Sequence, residues 1–194
     1  MNLKVLLITP AFTQLNTPYP ATAYLKGFLN TKYFQTRQLD MGLEVILELF
    51  SKIGLTELFR NIELTNAELN ENSYRIFSLQ EDYIHTIDLV IAFLQNKNPT
   101  LAHLISSRSF LPEASRFKQL VDLDEAFGPI CIQDKAKYIS TLYLEDLADF
   151  IKEIVDPHFG FSRYAERLGR MASSFDPLLE ELEKEADLYC WKNA

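Results

Sequence analysis

Apolar residues crowd together at the start of the chain and then spread out to helical spacing. Leu3 to Thr9 is a near-continuous apolar run closed by Pro10, the pattern of a strand buried in a parallel sheet. Pro10 to Pro20 is small and polar, with Pro18 and Pro20 as breakers, and predicts a loop. Ala21 to Leu29 predicts a short helix carrying Tyr24, Leu25, Phe28 and Leu29 on one face. Phe34 to Met41 predicts a second strand, with Phe34, Thr36, Gln38 and Asp40 turned to one side and Gly42 ending it. Strand, crossover helix and strand make a βαβ opening, which implies a parallel pair joined by a right-handed connection.

Beyond Gly42 the period becomes helical. Leu43 to Ile53 has apolar residues at 43, 46, 47, 50 and 53; Gly54 interrupts this stretch, and Leu55 to Ile62 adds a further turn or two. Thr65 to Ser73 is polar and asparagine-rich, which predicts an exposed loop. Ser78 and Glu81 have the spacing of a capping box, ahead of a helix that buries Tyr83, Ile84, Ile87, Val90, Ile91 and Leu94. Asn98-Pro99 predicts another helix start, through Leu101, Leu104 and Ile105. Gly128-Pro129 breaks the stretch from Phe110, and a longer helix follows from about Lys135 to Val155, stopped by Asp156-Pro157. Phe161 to Met171 is moderately helical, and Asp176-Pro177 caps a final acidic helix through Leu178, Leu179, Leu182 and Leu188.

Composition narrows the function classes. Fourteen Phe and an aromatic share of 12% argue for a substantial core. A formal net charge of -8 with dispersed Lys and Arg argues against nucleic acid as a partner. The short run Val5 to Ile8 is a strand rather than a secretory segment, and no apolar stretch approaches the roughly 20 residues that span a bilayer. The expectation is a soluble, cytoplasmic chain with no membrane contact. Its two cysteines, Cys131 and Cys190, are expected to be reduced there.

Two stretches carry a family resemblance. Val5-Leu6-Leu7-Ile8-Thr9-Pro10-Ala11-Phe12 resembles the first strand and loop of the cobalamin-binding domain that precedes a radical SAM core. Pro20-Ala21-Thr22-Ala23-Tyr24-Leu25-Lys26-Gly27-Phe28-Leu29 resembles that family's next helix, and Leu39-Asp40-Met41-Gly42 falls where it has a strand ending in Asp-x-Asn. Together they cover about the first quarter of the chain. The resemblance implies a Rossmann-like domain and, in a full-length protein, cobalamin, SAM and a 4Fe–4S cluster held by a Cys-x3-Cys-x2-Cys loop. This chain departs from that pattern: two cysteines cannot supply the loop, six glycines are too few for the remaining glycine-rich turns, and no Asp-x-His-x-x-Gly motif is present.

The expectations are therefore these. The fold is α/β, a Rossmann-like βαβ start with an incomplete parallel sheet followed by a mainly α-helical body. Residues 1–42 begin a cofactor domain, and residues 43–194 form a helical insertion or extension packed on it as one unit. The chain is the N-terminal non-catalytic region of a cobalamin-binding radical SAM iron–sulfur oxidoreductase or methyltransferase, inactive as this fragment and binding no cofactor alone. Its partners are the remainder of the parent chain, a second copy or another protein. Thr9, Pro10, Ala11, Phe12 and Asp40 are the candidate cofactor-binding residues, because open α/β sheets bind ligands at the carboxyl ends of their strands. The loop after the first strand equally reads as a plain connection, and Asp40 as a helix cap.

Two other function classes stay open: a free-standing α-rich interaction module with no activity, and a small hydrolase or transferase with a spatially assembled site. An exposed apolar patch on the helices Lys135–Val155 or Asp176–Leu188 would mark the first. A pocket gathering a histidine with carboxylates would mark the second. The histidines at 85, 103 and 158 lack metal-ligand spacing, and the carboxylates Glu145, Asp146 and Asp149 read as solvated helix faces.

Overall fold

The structure, a computed structural model, describes residues 3–10, 20–65, 68–120, 132–157 and 159–161. It divides into two compact units, one holding Met1–Leu47 and the other Glu48–Gly160. The α/β opening and the mainly helical body are both present.

The first unit begins with β1 (Lys4–Thr9), α1 (Pro20–Thr31) and β2 (Gln35–Asp40). The strands pair in parallel, from Lys4 opposite Gln35 to Thr9 opposite Asp40. Laterally paired residues share a face, so Val5, Leu7, Thr9, Thr36, Gln38 and Asp40 lie on one side. That side meets α1, where Thr22 is buried. β1 is not the fully buried strand its apolar run predicts, because Leu6 and Ile8 on the other side remain 56% and 47% exposed. A single helix can cover only one side of a two-stranded sheet. On α1 the apolar residues Tyr24, Leu25 and Phe28 are exposed as well. The helix ends with Tyr33 at φ 62°, where the Phe34 N–H reaches back to the Leu29 carbonyl, a left-handed cap made without glycine.

α2 (Met41–Leu49) follows β2 directly and runs past the boundary between the units. The second unit continues with α3 (Lys52–Thr65), α4 (Glu71–Ser78), α5 (Gln80–Leu94), a 3₁₀ turn (Pro99–Leu101) and α6 (Ala102–Ser106). A 3₁₀ segment (Ser115–Gln119) and the long α7 (Ile132–Ile154) complete the described elements. The helix break expected at Gly54 falls instead at Phe50-Ser51. Ser51 caps α3 by accepting the Gly54 N–H at 3.0 Å, and Asp88 of α5 accepts the Lys52 N–H at 2.9 Å. Gly54 is required by close approach, since a Cβ there would lie 2.3 Å from the Glu48 carbonyl oxygen and 2.6 Å from that of Leu49.

Two other local expectations are corrected. Ser78 and Glu81 do not form a capping box: Ser78 ends α4 and donates to the Arg75 carbonyl, while α5 starts after Leu79 without a side-chain cap. The polar stretch to Ser73 is not all loop, because Asn70 caps α4 by accepting the Ser73 N–H at 2.9 Å and Ser73 is buried. The helix expected after Asn98-Pro99 opens as a 3₁₀ turn before α6. The long helix expected from Lys135 is α7, three residues longer at its start. The helices expected from Phe161 to Met171 and after Asp176-Pro177 lie outside the described residues.

The core of this unit is aromatic and dense. Phe59 packs on Phe150 with ring centroids 5.4 Å apart and meets Phe77 edge-on at 6.2 Å. Tyr83 and Tyr143 stack at 5.1 Å, and Ile76, Ile87, Val90, Ile139 and Leu147 fill the space around them.

Candidate functional site

The carboxyl ends of β1 and β2 bring Thr9 and Asp40 abreast, as the first and last expected cofactor-binding residues. Thr9 is 1% exposed, and its hydroxyl shares a hydrogen bond of 3.4 Å with that of Thr22. Gln38, on the same face of β2, donates from Nε2 to the Thr22 hydroxyl at 2.8 Å. Asp40 Oδ1 accepts the Leu43 N–H at 3.1 Å and so caps α2. Pro10 is exposed beside them. Ala11 and Phe12 lie outside the described residues. Thr22 and Gln38 were not among the candidates; the available signal was the period-two alternation that puts Gln38 on the side of Asp40.

This cluster joins strand to helix through hydroxyl and amide groups. Its carboxylate already holds a backbone donor, and its innermost hydroxyl is turned into the seam between sheet and helix. Thr9, Thr22 and Gln38 brace the strand ends, and Asp40 fixes the start of α2. An open depression of about 660 Å³ lies elsewhere on the sheet, lined by Lys4, Val5, Leu6, Gln35, Thr36 and Arg37. It sits toward the amino ends of the strands, the opposite end from that used by ligands of open α/β sheets.

The second unit holds a different polar cluster, and here a sequence expectation fails. Asp146 does not lie on a solvated face; it is 0% exposed. Its two carboxylate oxygens accept the backbone N–H groups of Ala114 at 3.1 Å and Arg116 at 3.0 Å. Burial pushes its pKa up to about 6, against the pull of those two donors. The signal was present in the pattern: Ile139, Tyr143, Asp146 and Phe150 fall at helical spacing on one stripe of α7, all four buried. Nearby carboxylates on α7 are committed too. Arg116 donates from Nε to Asp149 Oδ2 at 2.6 Å and from Nη2 to Oδ1 at 2.8 Å, with Glu145 at 3.5 Å from Nη1. Glu153 accepts from the Ser73 hydroxyl at 2.7 Å and from both the backbone and side-chain nitrogens of Asn70.

Beside Asp146 the Tyr143 hydroxyl donates to the Tyr83 carbonyl at 3.1 Å and meets the Thr86 hydroxyl at 3.0 Å. The Tyr83 hydroxyl is buried with no hydrogen-bond partner. Burial raises both phenol pKa values, which holds both hydroxyls in the protonated form. This network fastens the segment 113–116 to α4 and α7, with Arg75 Nε donating to the Glu113 carbonyl and Asn72 accepting the Ser115 N–H. Each carboxylate in it has a structural partner.

The two described histidines, His85 and His103, are exposed on α5 and α6. His85 contacts its own helix, with Nδ1 2.6 Å from the Glu81 carbonyl. His158, Cys131 and Cys190 lie outside the described residues. Among the described residues no group of three or more His, Cys, Asp and Glu is placed to hold a metal ion. No described helix is long and apolar enough to cross a membrane. α7 turns its apolar side inward; Tyr138 is its exposed large apolar residue. The chain was compared with models of protein families, with curated proteins and with solved structures, and none matches.

Proposed function

We propose that this chain is the N-terminal, non-catalytic part of a cytoplasmic cobalamin-binding radical SAM iron–sulfur enzyme. It contributes the first edge of the cofactor domain and a helical module for substrate or partner contact. The observation that carries this reading is the parallel pairing of Lys4–Thr9 with Gln35–Asp40, which sets Thr9 beside Asp40 at the carboxyl edge. These are the strands that resemble the family's opening, and their ends are where an α/β sheet takes its ligand. A two-stranded parallel sheet with one covered face supports further strands better than it stands alone. In the full-length enzyme the bound groups supply radical generation and corrinoid chemistry, from residues downstream. The part of this chain is to brace the first strand end through Thr9, Thr22 and Gln38 and to anchor α2 through Asp40.

The test is the natural reading frame together with the protein it encodes. The expected result is a frame that continues beyond Ala194 to a Cys-x3-Cys-x2-Cys loop, and a protein that, purified without oxygen, carries iron, sulfide and cobalamin. A frame that stops at Ala194, or continues without the three-cysteine loop, overturns the proposal.

A further inference from the structure

The segment that follows α6 lies over a buried carboxylate. Leu111, Ala114 and Phe117 of this segment are buried. Its backbone is tied to the rest of the unit through side chains. The N–H groups of Ala114 and Arg116 donate to Asp146 at 3.1 and 3.0 Å, and that of Ser115 donates to Asn72 at 3.1 Å. On the solvent side Arg108 pairs with Glu113 and Arg116 with Asp149, both at 2.6 Å; exposed pairs of this kind hold a segment only weakly. The tie beneath is different. Asp146 is 0% exposed, and among the described residues no cation lies within ion-pair distance of it. The Arg116 guanidinium is turned to Asp149 and Glu145 on α7. Arg75 of α4 is turned to the Glu113 carbonyl, and Arg108 holds the Glu113 carboxylate. From α5, Tyr83 presents a protonated phenol. A buried carboxylate with neutral donors alone is costly, and a proton relieves that cost.

We propose that residues 111–117 form a strap held shut by a proton on Asp146, and that the strap loosens when this proton leaves. Lifting the strap hydrates the carboxylate and bares Leu111 and Phe117, while the rest of the core around Tyr143 and Leu147 stays closed. With the strap shut, burial pushes the Asp146 pKa up to about 6; with it lifted, water returns the carboxyl to its ordinary 3.8. The shut state therefore binds the proton more tightly than the lifted one. Closure is favoured in acid and weakens as pH rises through about 6. The two backbone donors of Ala114 and Arg116 oppose this shift, but burial outweighs them. Asp149 adds to the effect of burial, and the Arg116 guanidinium subtracts from it. This inference does not rest on the cofactor reading, since it concerns a strap within the helical unit.

The test is amide hydrogen exchange of the full chain, read residue by residue by NMR between pH 4 and 7, with each rate divided by its intrinsic value at that pH. The protection of the Ala114 and Arg116 amides should fall by roughly 50-fold across this range. At every pH these two amides should exchange faster than that of Leu147, which marks lifting of the strap rather than opening of the whole unit. Asp146→Asn, which carries no charge at any pH, should flatten the profile. The Asp146 carboxyl carbon, followed in the unmodified chain, should titrate at about 6. A flat profile in the unmodified chain overturns the proposal, as does a slope that survives Asp146→Asn. Exchange of Ala114 and Arg116 no faster than that of Leu147 overturns it too. So does a carboxyl midpoint at the ordinary 3.8, a result that stands even if the variant fails to fold.

Discussion

The two units manage their polar groups in opposite ways. In the sheet unit, polar groups sit at the strand ends and hold the secondary structure together, while large apolar residues such as Tyr24 and Phe28 face outward. In the helical unit the apolar residues are inside, and a fully buried carboxylate lies among them, held by backbone donors from a distant segment. The difference shows where the stability of the described chain resides. A thin sheet with one covered face gains little from burial, whereas the aromatic core around Phe59, Phe150, Tyr83 and Tyr143 gains much.

Substitutions can break this contrast at several strengths. The largest effect is expected from Phe150→Ala, which removes a fully buried ring from contact with Phe59 and should lower unfolding free energy by about 3–5 kcal/mol. Leu6→Ala, on the half-open sheet face, should cost about 1 kcal/mol or less, both losses being read by urea titration. Equal losses would mean that the sheet is as deeply packed as the helical core.

Asp146 gives the next largest effect, and it depends on pH. Its native pKa of about 6 exceeds the ordinary 3.8, so the native state holds the proton more tightly than the unfolded chain does. Its contribution to stability is therefore whole below about pH 3.8 and is lost as pH rises through about 6. The loss is on the order of 3 kcal/mol. The stability difference between wild type and Asp146→Asn should shrink by this order from about pH 4 to 7, and a difference that stays flat would remove the buried charge from the comparison.

Glycines in the two units sharpen it further. Gly54→Ala pushes a Cβ into the carbonyls of Glu48 and Leu49 and should cost about 1–3 kcal/mol. Thr22→Val removes the hydroxyl shared by Thr9 and Gln38 and should cost about 1 kcal/mol, read as faster hydrogen exchange in β1 and β2. Gly27→Ala, in open space on α1, should instead raise the melting temperature, through a gain of about 0.5–1 kcal/mol in helix propensity. A destabilising Gly27→Ala would show that α1 is tightly covered.

The sequence revealed what period and punctuation encode. β1 and α7 were legible because a continuous apolar run and a long 3.6-residue stripe are local signals, β2 because of its period-two alternation before Gly42, and the parallel pairing follows from the helix between the strands. Ser78 and Asp146 were misread for the same underlying reason. A hydroxyl three residues before a glutamate, or a carboxylate on a helix, has several local uses, and a distant partner decides among them. Asp146 is buried because the backbone N–H groups of Ala114 and Arg116 arrive from a segment about 30 residues away. At the candidate site, pairing Thr9 with Asp40 follows from the strand pattern, but Thr22 joins them only once the helix packs across the sheet.

The cap on α4 also sets an order of events during synthesis. Asn70 and Ser73 take their partner from Glu153, about 80 residues later in the chain. At roughly 5–20 residues per second, those groups wait about 4–17 s on the ribosome before that carboxylate exists. Until then water or a chaperone must satisfy them. The second unit thus closes only once α7 emerges and fastens segments that left the ribosome long before it.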